Sequence, residues 1–366
     1  MRVKDIINSI EEFAPVVYQE SYDNSGLQIG DPLEEVKGVL LTLDLTEDII
    51  REAISRKCNL IIAHHPLLFS GLKRISNDTY TERIVKETIR NNINIYAAHT
   101  NMDNMKNGVN AKIAEKLGLI DLSILAKAAG TLFKLYTYAP LEAADNVLQA
   151  MFAAGAGEIG KYKECSFNTN GVGSFKPGSN ANPAIGKAGG EREQVVEAKI
   201  EVLVQKHNKK QVLRALFESH PYEEVAYELV ALENANQDIG AGIVGNLPNP
   251  LSEKEFLTLL QKQMKLDCIR HTALTGKKVN KIAICGGAGS FLLKDAISAG
   301  ADFFVTADFK YHQFFDADGK IVIADIGHYE SEQFTIELFQ EILNKKFPNF
   351  AILLSSLSTN PVKYFC

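Results

Sequence analysis

The feature that most limits what this chain can fold into is a repeated alternation of short apolar runs with amphipathic segments. GVLLTLDLT (38–46) reads as a buried strand, EDIIREAISRK (47–57) as a helix with apolar residues at i, i+3 and i+4, and NLIIAHH (59–65) as a second strand. TYTERIVKETIRNN and INIYAAHT then repeat helix and strand. Strand, helix, strand at about thirty residues per unit predicts a parallel sheet wound with right-handed crossovers. The rhythm returns in KIAICGG, GSFLLKDAISAG, ADFFVTAD and KIVIADIGH, followed by one long predicted helix, YESEQFTIELFQEILNKKF, and a last strand, AILLSS.

Between these halves the rhythm breaks. LFKLYTYAP is followed by a helical LEAADNVLQAMFAAG and by a predicted loop rich in Gly, Asn, Ser and Pro, NTNGVGSFKPGSNANPAIGKAGG. Strand QVVEAKIEVLVQ, helix KKQVLRALFESHPYEE and strand VAYELVALEN come next. A β-α-β-β-α-β order predicts a ferredoxin-like α+β insert. The expected fold is therefore α/β, with mainly parallel sheets flanked by helices: residues 1–125 and 236–366 form one split core, and 126–235 the insert. Such insertions succeed at exposed loops where chain ends lie close together.

Composition narrows the function classes. The net charge of -6, from 39 basic and 45 acidic residues, provides no basic face for nucleic acid. The opening MRVKDIINSIEEFAPVVYQESYD has helical spacing and charge throughout, so it reads as neither signal peptide nor membrane span. Five cysteines (Cys58, Cys165, Cys268, Cys285, Cys366) show no close pairing. That pattern suits a reducing compartment and excludes a disulfide framework or an all-cysteine zinc site. A soluble, cytoplasmic protein is expected.

In open parallel sheets ligands gather beyond the carboxyl ends of the strands. The five predicted strands there end on Asp44, on His64 and His65, on His99 and Asp103, on Asp308 with His312, and on Asp325 with His328, Glu330 and Glu332. Five of the eight histidines lie in this set, too many for packing alone. His, Asp and Glu together suit hard-to-borderline divalent metals. His328 and Glu332, four apart at a helix start, share a face and can meet one ion. Glu330 should point elsewhere. Consecutive strand residues diverge, so His64 and His65 would flank two ions about 3.5–4 Å apart with a carboxylate between them.

The segments YDNSGLQIGD, AHHPLLF, AAHTNMDN, ICGGAGS, TADFKYH and IGHYESE, in this order, resemble the GTP cyclohydrolase I type 2 homologues, the NIF-three-like dinuclear-metal proteins. The insert, with SHPYEEVAYEL, is similar to the CutA-like, PII-like module of the longer bacterial members. The resemblance implies metal ligands at His64, His65, Asp103, His328 and Glu332. It implies that Glu332 bridges, that His65 and Asp103 serve one metal, and that His64 and His328 serve the other. It further implies a ring-like homohexamer. One departure is Ala307, where relatives often carry glycine before the acid, which bears on how closely the backbone approaches a ligand.

Two function classes follow. The first is a metal-dependent hydrolase using two divalent ions (zinc, iron or manganese). His99 and His312 would be candidate catalytic proton carriers, and the resemblance implies opening of a purine five-membered ring in a small-molecule, nucleotide substrate. For His99 a loop-capping role is the plain alternative. The second class is a regulatory or scaffold protein with structural or sensory metals and a ligand-binding insert. Five protein ligands shared by two ions leave coordination positions open, which favours the enzyme. CGGAGS offers amides to an anion, or is simply a tight turn. YDNSGLQIGD is expected to be a loop turning at Asn24-Ser25-Gly26 that lines the site.

Overall fold

The apolar runs that end on imidazoles and carboxylates pair with one another in two sheets. The computed structural model describes residues 1–365, and the chain divides into two compact units, residues 1–127 with 237 onward, and Ala128–Asn236. In the first unit a five-stranded sheet has the order Gly26–Ile29, Asn94–Ala97, Leu60–Ala63, Val39–Thr42, Ile352–Leu354. The last four of these strands run parallel, and Gly26–Ile29 is antiparallel at the edge. A six-stranded sheet has the order Arg270–His271, Val322–Asp325, Phe303–Ala307, Lys278–Ala288, Gly240–Ser252, Ile120–Lys127, with its second, third and fourth strands mutually parallel.

Burial explains the continuous apolar runs, since parallel strands are covered on both faces. Along Val39–Thr42 and Leu60–Ala63, alternate residues enter different cores. Val39, Leu41, Leu60 and Ile62 pack with helices Val3–Phe13, Val109–Lys116 and Thr335–Lys346, in a layer that also holds Ile282, Phe303 and Val322 of the second sheet. Leu40, Ile61 and Ala63 pack instead against helices Glu47–Ser55 and Tyr80–Arg90. Thr46 and Thr79 cap those two helices, each accepting from a first-turn amide. Among the described residues no helix is long and apolar enough to cross a membrane.

Three expectations are corrected in this unit, the first being that Gly26–Ile29, expected within a loop, pairs as an edge strand with Asn94–Ala97. The predicted second strand stops at Ala63, so the histidine doublet lies beyond the strand, with both backbone amides bonded to Leu43 O at 3.1 and 3.0 Å. The long final helix is two, His328–Glu332 and Thr335–Lys346. Phe334, with ψ 0°, makes the break, and its ring is buried in the core. The break lets one short helix face the strand ends while the next packs against the sheet.

The Ala128–Asn236 unit has its own apolar core and a four-stranded antiparallel sheet, in the order Ser166–Phe175, Glu193–Gln205, Leu132–Pro140, Tyr227–Ala231. Helices Leu141–Ala153 and Lys209–Ser219 complete it. Ser166–Phe175 overturns the expectation of a loop from residue 168. Its glycines and asparagines favour turns, but all ten residues pair with the alternating apolar strand beside them, and that pairing overrides local preference. Cys366 lies outside the described residues, and the described cysteines carry no disulfide.

Candidate metal centre

Within the first unit the carboxyl ends of the parallel strands from both sheets open onto one cavity of about 910 Å³. His65, His99, Asp103, His328 and Glu332 line it, with His64 wholly buried beside them. The histidines are held alike. His64 Nδ1 lies 2.8 Å from Ala98 O, His65 Nδ1 2.7 Å from Asp44 Oδ1, His99 Nδ1 2.9 Å from Asp23 Oδ1, and His328 Nδ1 2.7 Å from Asp308 Oδ2. A carbonyl or ionised carboxylate only accepts, so each Nδ1 carries the proton and each Nε2 is left for something else. This is how proteins fix imidazoles as metal ligands.

The Nε2 atoms converge on Glu332. His65 and His328 place theirs 3.0 and 3.2 Å from Glu332 Oε2 and 3.3 Å from each other. His64 Nε2 lies 3.8 Å from Glu332 Oε1 and 3.6 Å from Asp103 Oδ1. Two of these buried atoms, His64 Nε2 and Asp103 Oδ1, have no hydrogen-bond partner. Leaving a buried polar atom unpaired costs about 1–3 kcal/mol, so two facing each other need a reason. The donor set supplies it: neutral imidazoles and carboxylates satisfy a divalent cation. Two groups fit, His65, His328 and Glu332, and His64, Asp103 and Glu332. In the first group the separations of 3.0–3.3 Å match the roughly 3.3 Å between neighbouring ligands of a tetrahedral ion with 2.0–2.1 Å bonds.

The electrostatics agree. Burial pulls His64 down to about 4, so its Nε2 carries a free lone pair at neutral pH. Burial opposes charge on His65 as well, but bonds to Asp44 and Glu332 raise it to about 10. His328 is likewise disfavoured by burial and raised to about 9 by Glu332 and Asp308. Glu332 is driven up by burial and further down by the three imidazoles, His328, His64 and His65, and is held ionised. Asp103 is raised by burial and by the charge of Glu332.

The partition implied by the resemblance is not the one these distances draw: His64 goes with Asp103, and His65 with His328. His99 joins the cluster, its ring centroid 5.3 Å from those of both His64 and His65. It can also form a donor group with that pair. His312 does not join. It is exposed on the turn Tyr311–Ala317, its ring stacked on Phe315, and it is absent from the cavity lining. Glu330, expected either to face solvent or to support a ligand from behind, is buried and accepts from Asn360 Nδ2 at 2.8 Å.

Sequence reasoning did not find the roles of three residues. Asp23, in YDNSGLQIGD, holds His99 and accepts from the Thr100 amide at 3.0 Å, and its pKa is lowered by these bonds against the opposing effect of burial. Asp308 orients His328 from a left-handed backbone, φ 58°, directly after the buried Ala307. Gly287 of CGGAGS has φ 62°, and a Cβ there would collide with Glu332 Oε1. The glycines of that segment make room for the carboxylate.

The sequence profile of the Duf34/NIF3 (NGG1p interacting factor 3) family matches residues 1–361. A Bacillus subtilis (strain 168) protein named GTP cyclohydrolase 1 type 2 homolog is 38% identical over 367 residues, 99% of this chain and 98% of its own. A Staphylococcus epidermidis protein of the same name is 36% identical over 369 residues, 100% of both chains. The crystal structure of a Bacillus cereus protein related to NIF3 superposes with a TM-score of 0.86 at 35% identity, covering 100% of this chain and 99% of that one.

Proposed function

The chain belongs to the Duf34/NIF3 family, and from that premise we propose that it is a dinuclear divalent-metal protein acting as a metal-dependent hydrolase. The observation that carries this reading is the convergence of the buried, unpartnered His64 Nε2 and Asp103 Oδ1 with the Glu332 carboxylate beneath an open cavity. His64 and Asp103 would hold one ion, His65 and His328 the other, and Glu332 would be shared between them. Bound there, the ions would supply Lewis acidity and acidify water toward neutrality. Zinc, iron and manganese all suit the donors.

The remaining chemistry falls to side chains of this chain. Asp23 fixes the His99 ring at the cavity wall through Nδ1, leaving Nε2 as the group that would move a proton. The half-exposed Phe69 ring lies edge-on to His99, with centroids 5.7 Å apart. The relatives' name suggests GTP-cyclohydrolase-type opening of a purine five-membered ring. A small-molecule, nucleotide substrate in a homohexameric assembly is the matching proposal. We read the Ala128–Asn236 unit as a ferredoxin-like, CutA- or PII-like insert. Its β-α-β-β-α-β order supports that reading and favours a second function, ligand sensing by a regulatory protein.

The test is turnover of GTP and other nucleotides by metal-loaded protein, chelator-stripped protein and Glu332→Ala. Hydrolysis in the first alone is the expected result. Equal rates in all three, or none in any, would refute the hydrolase assignment and leave the regulatory reading.

A further inference from the structure

The segment following strand Ile352–Leu354 reaches the metal centre from outside and touches both of its halves. It is moored first. Ser355 Oγ, Ser356 N and Ser356 Oγ donate to the Glu52 carboxylate at 2.6, 3.0 and 3.1 Å, and Arg56 binds both Glu52 and the Leu354 carbonyl at 2.9 Å. From that mooring, Thr359 and Asn360 arrive at the cavity wall.

Each then bonds a carboxylate that governs a metal ligand. Thr359 Oγ1 donates to Asp44 Oδ2 at 2.6 Å, across 315 residues of sequence. The other oxygen of that carboxylate, Asp44 Oδ1, is the one that holds His65 Nδ1 at 2.7 Å. With both oxygens engaged, the carboxylate cannot turn, and the His65 ring is fixed with it. Asn360 Nδ2 donates to Glu330 Oε1 at 2.8 Å. Glu330 sits in the five-residue helix His328–Glu332, between the two ligands that helix supplies. Its other oxygen, Oε2, is pressed against Gly327, where a Cβ would collide with it. The asparagine is itself braced, its Oδ1 accepting from the Val362 amide at 2.9 Å.

We propose that Thr359 and Asn360 form a clasp of positioning residues for the metal centre, Thr359 setting His65 through Asp44 and Asn360 setting the His328–Glu332 helix through Glu330. The inference rests on the metal-binding reading above. It assigns a task to a segment distant in sequence from every ligand except those of that short helix. His65 follows a strand of one sheet, whereas His328 and Glu332 follow a strand of the other. Two adjacent residues bridging these sets hold the separation that both ligand groups need. Partners of this kind set the orientation and basicity of a ligating imidazole, and their loss typically lowers metal affinity 10–100-fold.

The experiment uses full-length protein stripped of metal and titrated with cobalt(II), whose visible absorption reports ligand geometry. Wild type, Thr359→Val, Thr359→Ser and Asn360→Ala are compared, with circular dichroism and thermal unfolding of the metal-free forms as the check on folding. Thr359→Val keeps shape and removes the hydroxyl. It should bind cobalt about tenfold more weakly, with shifted bands, and Thr359→Ser should restore both. Asn360→Ala, which leaves Thr359 in place, should weaken binding independently. Wild-type affinity and spectrum in Thr359→Val would overturn the role of Thr359. A loss that serine does not rescue would also overturn it, by assigning the effect to packing. Wild-type affinity in Asn360→Ala would overturn the Glu330 half. Wild-type protein that takes up no cobalt would refute the metal-binding reading itself, and the clasp with it.

Discussion

Each histidine of the cluster spends its Nδ1 on a fixed acceptor, and that one habit determines how the site handles protons. His65 and His328 stand at about 10 and about 9 without metal, because Glu332 with Asp44 or Asp308 stabilises their charge against burial. These raised values hold a proton in the pair at neutral pH, so an incoming cation must displace it. We predict that calorimetric titration with zinc at pH 7.5 gives heats that depend on the buffer's ionisation enthalpy, showing net proton release. Affinity should rise as pH climbs towards 9–10. The metal-free fold behaves oppositely. A raised folded pKa contributes stability that is full below the unfolded histidine value of about 6.5 and is lost as pH passes through the folded one. Heats independent of buffer would contradict the assignment of these two rings as ligands. At this scale the ligand types were legible, because polar residues closing apolar strands have few structural uses. Their grouping was not. Alternation assigns His64 and His65 to different ions, as the two donor groups also do, but the spacing does not say which of Asp103 and His328 goes with each.

Elements set the distances that residues exploit. The strand Lys278–Ala288 carries Gly286 and Gly287 just before its last residue, and the short helix His328–Glu332 lays its carboxylate against them. Gly286 N also donates to Asn110 Oδ1 at 2.8 Å, while Asn110 Nδ2 binds Asp103 O at 3.0 Å. The strand end, the helix and the Asp103 turn are therefore one packed unit. Gly287→Ala meets a left-handed φ and a collision with Glu332 together, and should destabilise the metal-free chain by about 1–3 kcal/mol in urea unfolding. Metal uptake should fall with it. Unchanged stability with unchanged uptake would show that the glycine is not needed for the carboxylate's approach. The parallel strands were legible because both faces are buried and their apolar runs are unbroken. The strand Ser166–Phe175 was not, since its composition favours turns and only its partner strand makes it extended. The break at Phe334 escaped for a similar reason: the helical pattern continues through it, and tertiary packing decides where the axis turns.

At the scale of the whole molecule, every residue of the metal centre, its orienting carboxylates and the Thr359–Asn360 clasp belongs to the split unit of residues 1–127 and 237 onward. The chain returns to this unit after residue 236 and completes it with His328, Glu332 and finally the clasp. Folding of both parts is thus required before either ligand group exists, because Glu332 is common to both. The central claim is that this carboxylate joins two metal positions. The most direct test is elemental analysis of full-length protein, stripped, reloaded with zinc and freed of excess, for wild type and Glu332→Ala. Two zinc ions per chain in wild type, falling to one or none in the variant, is the predicted result. No zinc in wild type, or an undiminished two in Glu332→Ala, would contradict the account.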